Sequence, residues 1–280
     1  MKITVIHNVY LRNPYIHESI AYNIGALEKA KADYQYIVIN DMGDKLIKED
    51  ITEYLDIPNL EYIYSEKNFG NKMGPGGWVA AVPYIHQDSV LVHRTDQDDV
   101  MTEDFYLKSL AEFKKDAELS LSFTNCYRVN GKLEVLSLMS NPNWTPDYSK
   151  PLDRFKEWFG VDENGHRGVT RANNNMPGLG VVYKKKLHDE IGLPDLDNFG
   201  GACDFEYWSR ILFNEKKCKY INEPLWLYRV GDDGNSNIYS AGNEIVDGKP
   251  NRGYWQQLHI KAVQEKYTKL WAEKYGKNNI

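Results

Sequence analysis

The run Ser89-Val90-Leu91-Val92-His93-Arg94-Thr95-Asp96-Gln97-Asp98-Asp99 constrains this chain more than any other. An apolar strand leads directly into three carboxylates packed within four residues. Acids that close repel one another unless a cation or a hydrogen-bond donor offsets the charge. Open α/β sheets place their ligand crevice at the carboxyl ends of their strands. Strand and acids together point to a divalent metal and a phosphate-bearing ligand. A solvated acidic turn is the competing reading of the same segment.

The strand has company. Apolar runs predict further strands over Ile3 to Ile6, Tyr36 to Ile39 and Leu60 to Tyr64, ahead of the one at Val90 to Val92. Between them the spacing predicts helices over Tyr15 to Lys31, Ile47 to Leu55 and, despite Pro83, Trp78 to Ile85. Strand–helix alternation implies a parallel sheet with right-handed crossovers, and short apolar strands fit a sheet covered on both faces.

After residue 100 the pattern changes. Helices are expected over Phe105 to Phe113, Lys184 to Ile191 and Phe205 to Phe213, and strands over Leu119 to Val129, Gly178 to Tyr183 and Tyr220 to Arg229. Pro224 inside the last of these predicts an edge strand or a bulge. The segment from Asn141 to Asn175 reads as a long polar and aromatic stretch of the kind that is functional or locally folded. Trp255 to Tyr275 reads as an amphipathic helix with Val263, Tyr267, Leu270 and Trp271 on the face that docks on the body. No internal repeat or low-complexity linker interrupts the chain.

Composition narrows the function classes. The 280 residues suffice for a large core. A balance of 34 basic and 40 acidic residues gives a formal charge of −6, which argues against a broad nucleic-acid footprint. Cys126, Cys203 and Cys218 are odd in number and lack zinc-type spacing, which fits reduced thiols. The opening Met-Lys-Ile-Thr-Val-Ile-His reads as a strand rather than a signal peptide. No stretch approaches the roughly 20 apolar residues of a membrane span. A soluble cytoplasmic protein is the expectation, with peripheral membrane contact left open.

The acids allow three readings. Asp96 and Asp98 share one side of an extended backbone, and hard ions such as Mg2+ or Mn2+ prefer oxygen ligands and commonly share phosphate oxygens. An EF-hand loop fails, because Val100 and Met101 stand where it needs a ligand and a glycine. An aspartyl-nucleophile phosphatase needs its acids at the end of the first strand, where this chain has His7 and Asn8. A metal-bound nucleotide-sugar site needs a carboxylate pair at mid-chain, and that is present.

At this point the chain resembles the family 2 glycosyltransferases of the GT-A fold, over residues 1 to about 240. Six ordered landmarks carry the resemblance: Glu18-Ser19-Ile20, Asn40-Asp41-Met42-Gly43, Asn68-Phe69-Gly70, Asp96-Gln97-Asp98-Asp99, Asp204 with Arg210 six residues on, and Tyr228-Arg229 with Ser236. It implies an α/β fold with a GT-A-like, Rossmann-type, mostly parallel sheet flanked by helices, a C-terminal acceptor-side region and a terminal amphipathic helix. The implied organisation is a glycosyltransferase domain over 1–240, with a nucleotide-binding half at 1–100 and an acceptor and catalytic half at 101–240. A helical extension at 241–280 packs on it.

The implied activity is metal-dependent, inverting transfer of a sugar from a nucleotide-sugar, a UDP-sugar above others, to a glycan, glycolipid or other acceptor, as in polysaccharide biosynthesis. Asp41 and Asn8 would line the base pocket. Asn68 and Lys72 belong to the glycine-rich loop facing the diphosphate; a surface lysine is the alternative for Lys72. Asp96 would bind the ribose or a metal-bound water, Asp98 would ligate Mn2+ or Mg2+, and Asp99 would orient the turn. Asp204 would be the catalytic base, with a helix N-cap or first-turn acid as the alternative and Glu206 as a weaker candidate. Gly200-Gly201 would let the backbone approach the substrate. Cys203 stands where the family often has Glu, and reads as a small packed side chain. Val230-Gly231-Asp232-Asp233 follows Arg229 where the family often has His, so Asp232 or Asp233 is a candidate to complete the metal shell. In the acceptor segment Trp144, Trp158, His166 and Arg171 are candidate sugar contacts, and Asn173, Asn174 and Asn175 candidate donor-sugar contacts.

Two other classes compete. A sugar-phosphate nucleotidyltransferase would want a glycine-rich phosphate loop after the first strand, where the chain reads Asn8-Val9-Tyr10-Leu11-Arg12. A non-catalytic carbohydrate-binding module would have no need of the acids.

Overall fold

The computed structural model describes residues 1–69, 76–139, 148–159, 180–230, 245–246, 249–250 and 252–276. Its first unit is a parallel sheet. Strands β1 (Lys2–Val9), β2 (Asp33–Asn40), β3 (Leu60–Tyr64) and β4 (Ser89–Asp96) lie in the order β3-β2-β1-β4. All three pairings are parallel, so all four carboxyl ends meet at one edge. Helix α1 (Ile16–Lys29) makes the first crossover and buries Ile16, Ile20, Ile24 and Leu27, the stripe its spacing predicts. Each such side chain, fully buried, contributes about 1.5–3 kcal/mol.

The other crossovers are short. Helix α2 (Ile47–Asp50) gives way to a 3-10 turn at Thr52–Tyr54. Helix α3 (Gly76–Ala80) stops before a second such turn, Val82–Tyr84. The expected helix to Ile85 therefore ends early: Pro83 lacks the N–H that an α-helix requires there.

Beyond β4 the sheet turns mixed. Strand β5 (Val100–Met101) is followed by helix α4 (Phe105–Lys115), strand β6 (Leu121–Val129) and a short antiparallel partner, β7 (Val135–Leu138). Helix α5 (Pro151–Phe159) lies inside the long polar and aromatic stretch; its Phe155 and Phe159 are buried. Strand β8 (Val181–Lys184) inserts antiparallel between β4 and β6, so the parallel run ends at β4. Helices α6 (Leu187–Ile191), α7 (Leu196–Phe199) and α8 (Cys203–Phe213) then lead to strand β9 (Cys218–Arg229). Strand β9 lies between β6 and β5, so it is not an edge. The register shifts where Asn125 meets Pro224, which is the bulge expected of a proline inside a strand. A two-strand hairpin, β10 (Ile245–Val246) with β11 (Lys249–Pro250), precedes the final helix α9 (Arg252–Tyr275).

Apolar clusters cover both faces of the sheet. One gathers Ile20, Leu27, Phe105, Tyr106 and Phe113 from α1 and α4. The other gathers Trp78, Phe155, Trp208, Ile211, Val263, Tyr267 and Trp271 from α3, α5, α8 and α9. Helix α9 thus docks on the body through Val263, Tyr267 and Trp271, with Leu270 partly buried beside them. None of the described helices is long and apolar enough to cross a membrane.

Two imidazoles sit in the sheet below its carboxyl edge. His7 Nδ1 meets the Tyr36 hydroxyl at 2.6 Å, and His93 Nδ1 meets the Val181 carbonyl at 3.0 Å. Burial lowers His7 to about 4 and His93 to about 3, against opposing effects from Asp96 and from Val181. Both are neutral in the fold, while an unfolded chain takes up their protons below about pH 6.5. Their contribution is therefore present above pH 6.5 and declines as pH falls towards 4. Urea unfolding at pH 7 and pH 4.5 should show the native protein losing stability, about 2 kcal/mol of it through His7. The variant His7→Gln should lose that much less across the same interval; an equal loss would show that His7 is not neutral in the fold.

Candidate active site

The carboxyl edge of the parallel strands collects Asn8 from β1, Asp41 after β2, Asn68 after β3 and Asp96 from β4. Parallel pairing aligns Asn8 with Asp96, and Asn8 Nδ2 donates to Asp96 Oδ1 at 3.1 Å. Gly77 in α3 makes room for this contact: a Cβ there would lie 1.9 Å from Asn8 Oδ1. Asp41 is buried, and its Oδ1 accepts the Phe69 amide at 2.9 Å, tying the end of β2 to the loop after β3. Asn68 Oδ1 is buried there without a hydrogen-bond partner among the described residues. Lys72, Trp144, His166, Arg171, Asn173, Asn174, Asn175, Asp232, Asp233 and Ser236 lie outside the described residues, and the Trp158 side chain is not described.

The acidic turn is buried, not solvated. Asp98 and Asp99 are 5% and 2% exposed, so the solvated-turn reading fails. Arg229, itself 1% exposed, secures the turn. Its amide donates to Asp99 Oδ1 at 3.0 Å and its Nε to the Asp98 carbonyl at 2.9 Å. The rest of its guanidinium donates to the Gly131 carbonyl and to Glu18, and lies 3.9 Å from the Tyr15 ring centroid. Ser19 Oγ donates to the Asp99 carbonyl. Gln97 points away from its neighbours and accepts the Tyr10 amide at 3.2 Å. Glu18-Ser19, the acid turn and Arg229 are thus brought together although Glu18 and Arg229 are 211 positions apart.

Burial, followed by the charges of Asp98 and Asp96, pushes the Asp99 carboxyl well above its usual range. Burial and the neighbouring acids therefore favour the neutral form of Asp99 in the absence of a cation. Among the described residues no three His, Cys, Asp or Glu side chains converge as a metal cage. A hard divalent ion held by one or two carboxylates, with waters and phosphate oxygens completing its shell, fits such a donor set.

Asp204 occupies the first turn of α8 and accepts the amide of Phe205 at 2.7 Å. The helix cap itself is Ala202, so Asp204 is not the N-cap. Its charge acts on Arg94, a residue of the acidic edge that the sequence pattern did not single out. Arg94 is 7% exposed and donates to Asp96 Oδ2 at 2.8 Å. Burial works against its charge, but Asp96 and then Asp204 outweigh that and hold it above its ordinary value. The signal was available: an arginine two residues before the first acid, inside an apolar strand.

Neighbours of Asp204 have other tasks. Cys203 is buried, and burial followed by the charge of Asp204 keeps it a thiol. Glu206 is fully buried against Arg210, Lys266 at 2.7 Å and the Tyr267 hydroxyl at 3.0 Å, which joins α8 to α9 and removes it as a base candidate. Gly201 also serves α9: its amide donates to His259 Nδ1 at 2.8 Å, and a Cβ there would lie 3.1 Å from the Gln256 backbone. The close approach expected towards a substrate is made to a helix instead. Because burial disfavours the ionised Asp99 carboxyl, Asp99→Asn, which keeps an oxygen acceptor and cannot ionise, should stabilise the protein without divalent ions. Calorimetry of Asp99→Asn in a chelator should show a gain of about 1 kcal/mol; a lower melting temperature would show that the fold accommodates the acid at no cost.

Comparison with known proteins places this geometry in a fold. No family model matches the sequence, and no curated protein matches it. Solved structures do. Staphylococcus aureus TarS superposes with a TM-score of 0.59 at 17% identity, over 82% of this chain and 37% of that one. The chain therefore spans little more than a third of that longer protein. TarS 1–349 in complex with UDP-GlcNAc superposes with a TM-score of 0.55 at 15% identity, over 98% and 76%. The mannosyltransferase PcManGT of Pyrobaculum calidifontis, in complex with GDP-Man and Mn2+, gives 0.58 at 13% identity, over 97% and 75%. At these identities the fold is what is shared: a mixed α/β sheet flanked by helices, as in these glycosyltransferases.

Proposed function

We propose that this chain is a divalent-metal-dependent, inverting glycosyltransferase that moves a sugar from a nucleotide-sugar to an acceptor hydroxyl. One observation carries the reading. Asp96, at the carboxyl edge of four parallel strands and beside the buried Asp98 and Asp99, is bonded to Arg94, whose charge also responds to the acid in the first turn of α8. In addition, the structural neighbours include a complex with UDP-GlcNAc and one with GDP-Man and Mn2+.

In this reading residues 1–100 hold the nucleotide, 101–240 hold the acceptor and the base, and 241–280 brace them. Asn8 and Asp41 line the nucleobase side, where Asp41 accepts a ring N–H, and Asn68 belongs to the glycine-rich loop that holds the donor. Asp96 takes the ribose or a metal-bound water. Lys72 is assigned to the diphosphate and Asn175 to the donor sugar. Asp98 holds Mn2+ or Mg2+, which when bound supplies positive charge facing the departing diphosphate. Asp204 accepts the proton of the acceptor hydroxyl. The acceptor oxygen then bonds to the anomeric carbon, and the bond from that carbon to the diphosphate oxygen breaks with its electron pair. The configuration inverts because entry and departure lie on opposite faces.

A panel of UDP- and GDP-sugars with Mn2+ or Mg2+ tests the reading through release of nucleoside diphosphate. Release with at least one donor is expected. Pyrophosphate release from a nucleoside triphosphate and a sugar phosphate would replace the reading with nucleotidyl transfer. Asp98→Asn should abolish metal-dependent turnover. Asp204→Asn should bind donor normally and lose at least about 100-fold in transfer rate; near-native transfer would place the base elsewhere.

A further inference from the structure

Within the donor-binding reading, we infer that Arg94 is a positioning residue that fixes the Asp96 carboxylate for the donor. Asp96 stands at the end of β4 with its side chain 32% exposed, so a ligand can reach it. An exposed carboxylate at a strand end samples several rotamers unless it is held. Here each oxygen has its own donor: Asn8 Nδ2 on Oδ1 at 3.1 Å and Arg94 Nη2 on Oδ2 at 2.8 Å. The two donors come from neighbouring strands and the carboxylate is caught between them. Arg94 and Asp96 are two apart on one strand and share its face.

Arg94 is itself held. Its guanidinium lies 5.5 Å from the Trp78 ring centroid, and Trp78 Nε1 donates to the Tyr183 hydroxyl at 2.7 Å. A chain of packed groups therefore runs from β8 through α3 to the donor-side acid. The arrangement is costly as mere packing. Arg94 Nε is buried without a partner among the described residues, and a buried orphaned donor destabilises a fold. An apolar side chain of the same length would fill the slot without that cost. What an apolar side chain would not provide is a rigid planar donor for Asp96.

A double-mutant cycle separates positioning from stability. Wild type, Arg94→Met, Arg94→Lys, Asp96→Asn and the Arg94→Met/Asp96→Asn double variant are titrated by calorimetry with UDP and with GDP in Mn2+, and melting temperatures are recorded. Arg94→Met should weaken nucleotide binding at least tenfold, and Asp96→Asn by a similar factor. The double variant should be no weaker than the weaker single one, because Arg94 acts through Asp96. Arg94→Lys should recover part of the affinity by restoring charge, but not all, because it lacks the planar fork. Multiplying losses in the double variant would overturn the inference, as would unchanged nucleotide affinity in a folded Arg94→Met. Failure of wild type to bind either nucleotide would count against the donor-binding reading itself. The positioning claim is then decided by a crystal structure of Arg94→Met: displacement of Asp96 from Asn8 supports it, and an unmoved carboxylate overturns it.

Discussion

The structure depends on one buried cation. Arg229 ends β9, and its backbone and guanidinium together hold the Asp98 carbonyl, the Asp99 carboxylate, the Gly131 carbonyl and Glu18. Without it, the buried Asp99 carboxyl and the Asp98 carbonyl would each lose a donor. A charge-assisted bond of this kind contributes about 1.5–3 kcal/mol, and removing one partner from a buried set costs more than the bond itself. The same guanidinium ties α1, the β4–β5 turn, the β6–β7 hairpin and β9 into one unit. The acid turn is rigid because elements from both ends of the chain converge on it.

A second cation divides the remaining charge. Arg94 serves Asp96 on one side and feels Asp204 on the other, while burial and the neighbouring acids raise the Asp99 carboxyl. The fold thus gathers acids at the carboxyl edge of its parallel strands, at a cost in burial. Functional sites commonly carry such local costs, which a ligand relieves on binding. Burial strengthens both the repulsion inside the turn and its attraction for a cation.

The C-terminal helix contributes from the opposite side. Glu206, fully buried, is joined by Arg210 on its own helix and by Lys266 and Tyr267 from α9. The glycine turn before α8 leans on the same helix through His259. Helix α9 therefore braces both the start and the inner face of the helix that presents Asp204. Arg210, six residues after Asp204, pairs with the buried Glu206 and so holds the helix.

The sequence alone determined what local periodicity and residue chemistry can carry. The alternation of strands and helices over the first hundred residues, the buried stripe of α1, the docking face of α9 and the acid turn at a strand end were all legible, because each depends on neighbours a few residues apart. The tertiary structure decided what depends on distant partners. It inserted β8 antiparallel beside β4 and placed β9 inside the sheet despite Pro224, because the bulge absorbs the missing donor. It folded α5 from a segment with loop-like composition, because Phe155 and Phe159 found a core supplied by α8 and α9. It set Gly201 against α9 and brought the charge of Asp204 to bear on Arg94. The partners of a buried charge come from wherever the chain returns in space, and no spacing along the sequence encodes that return.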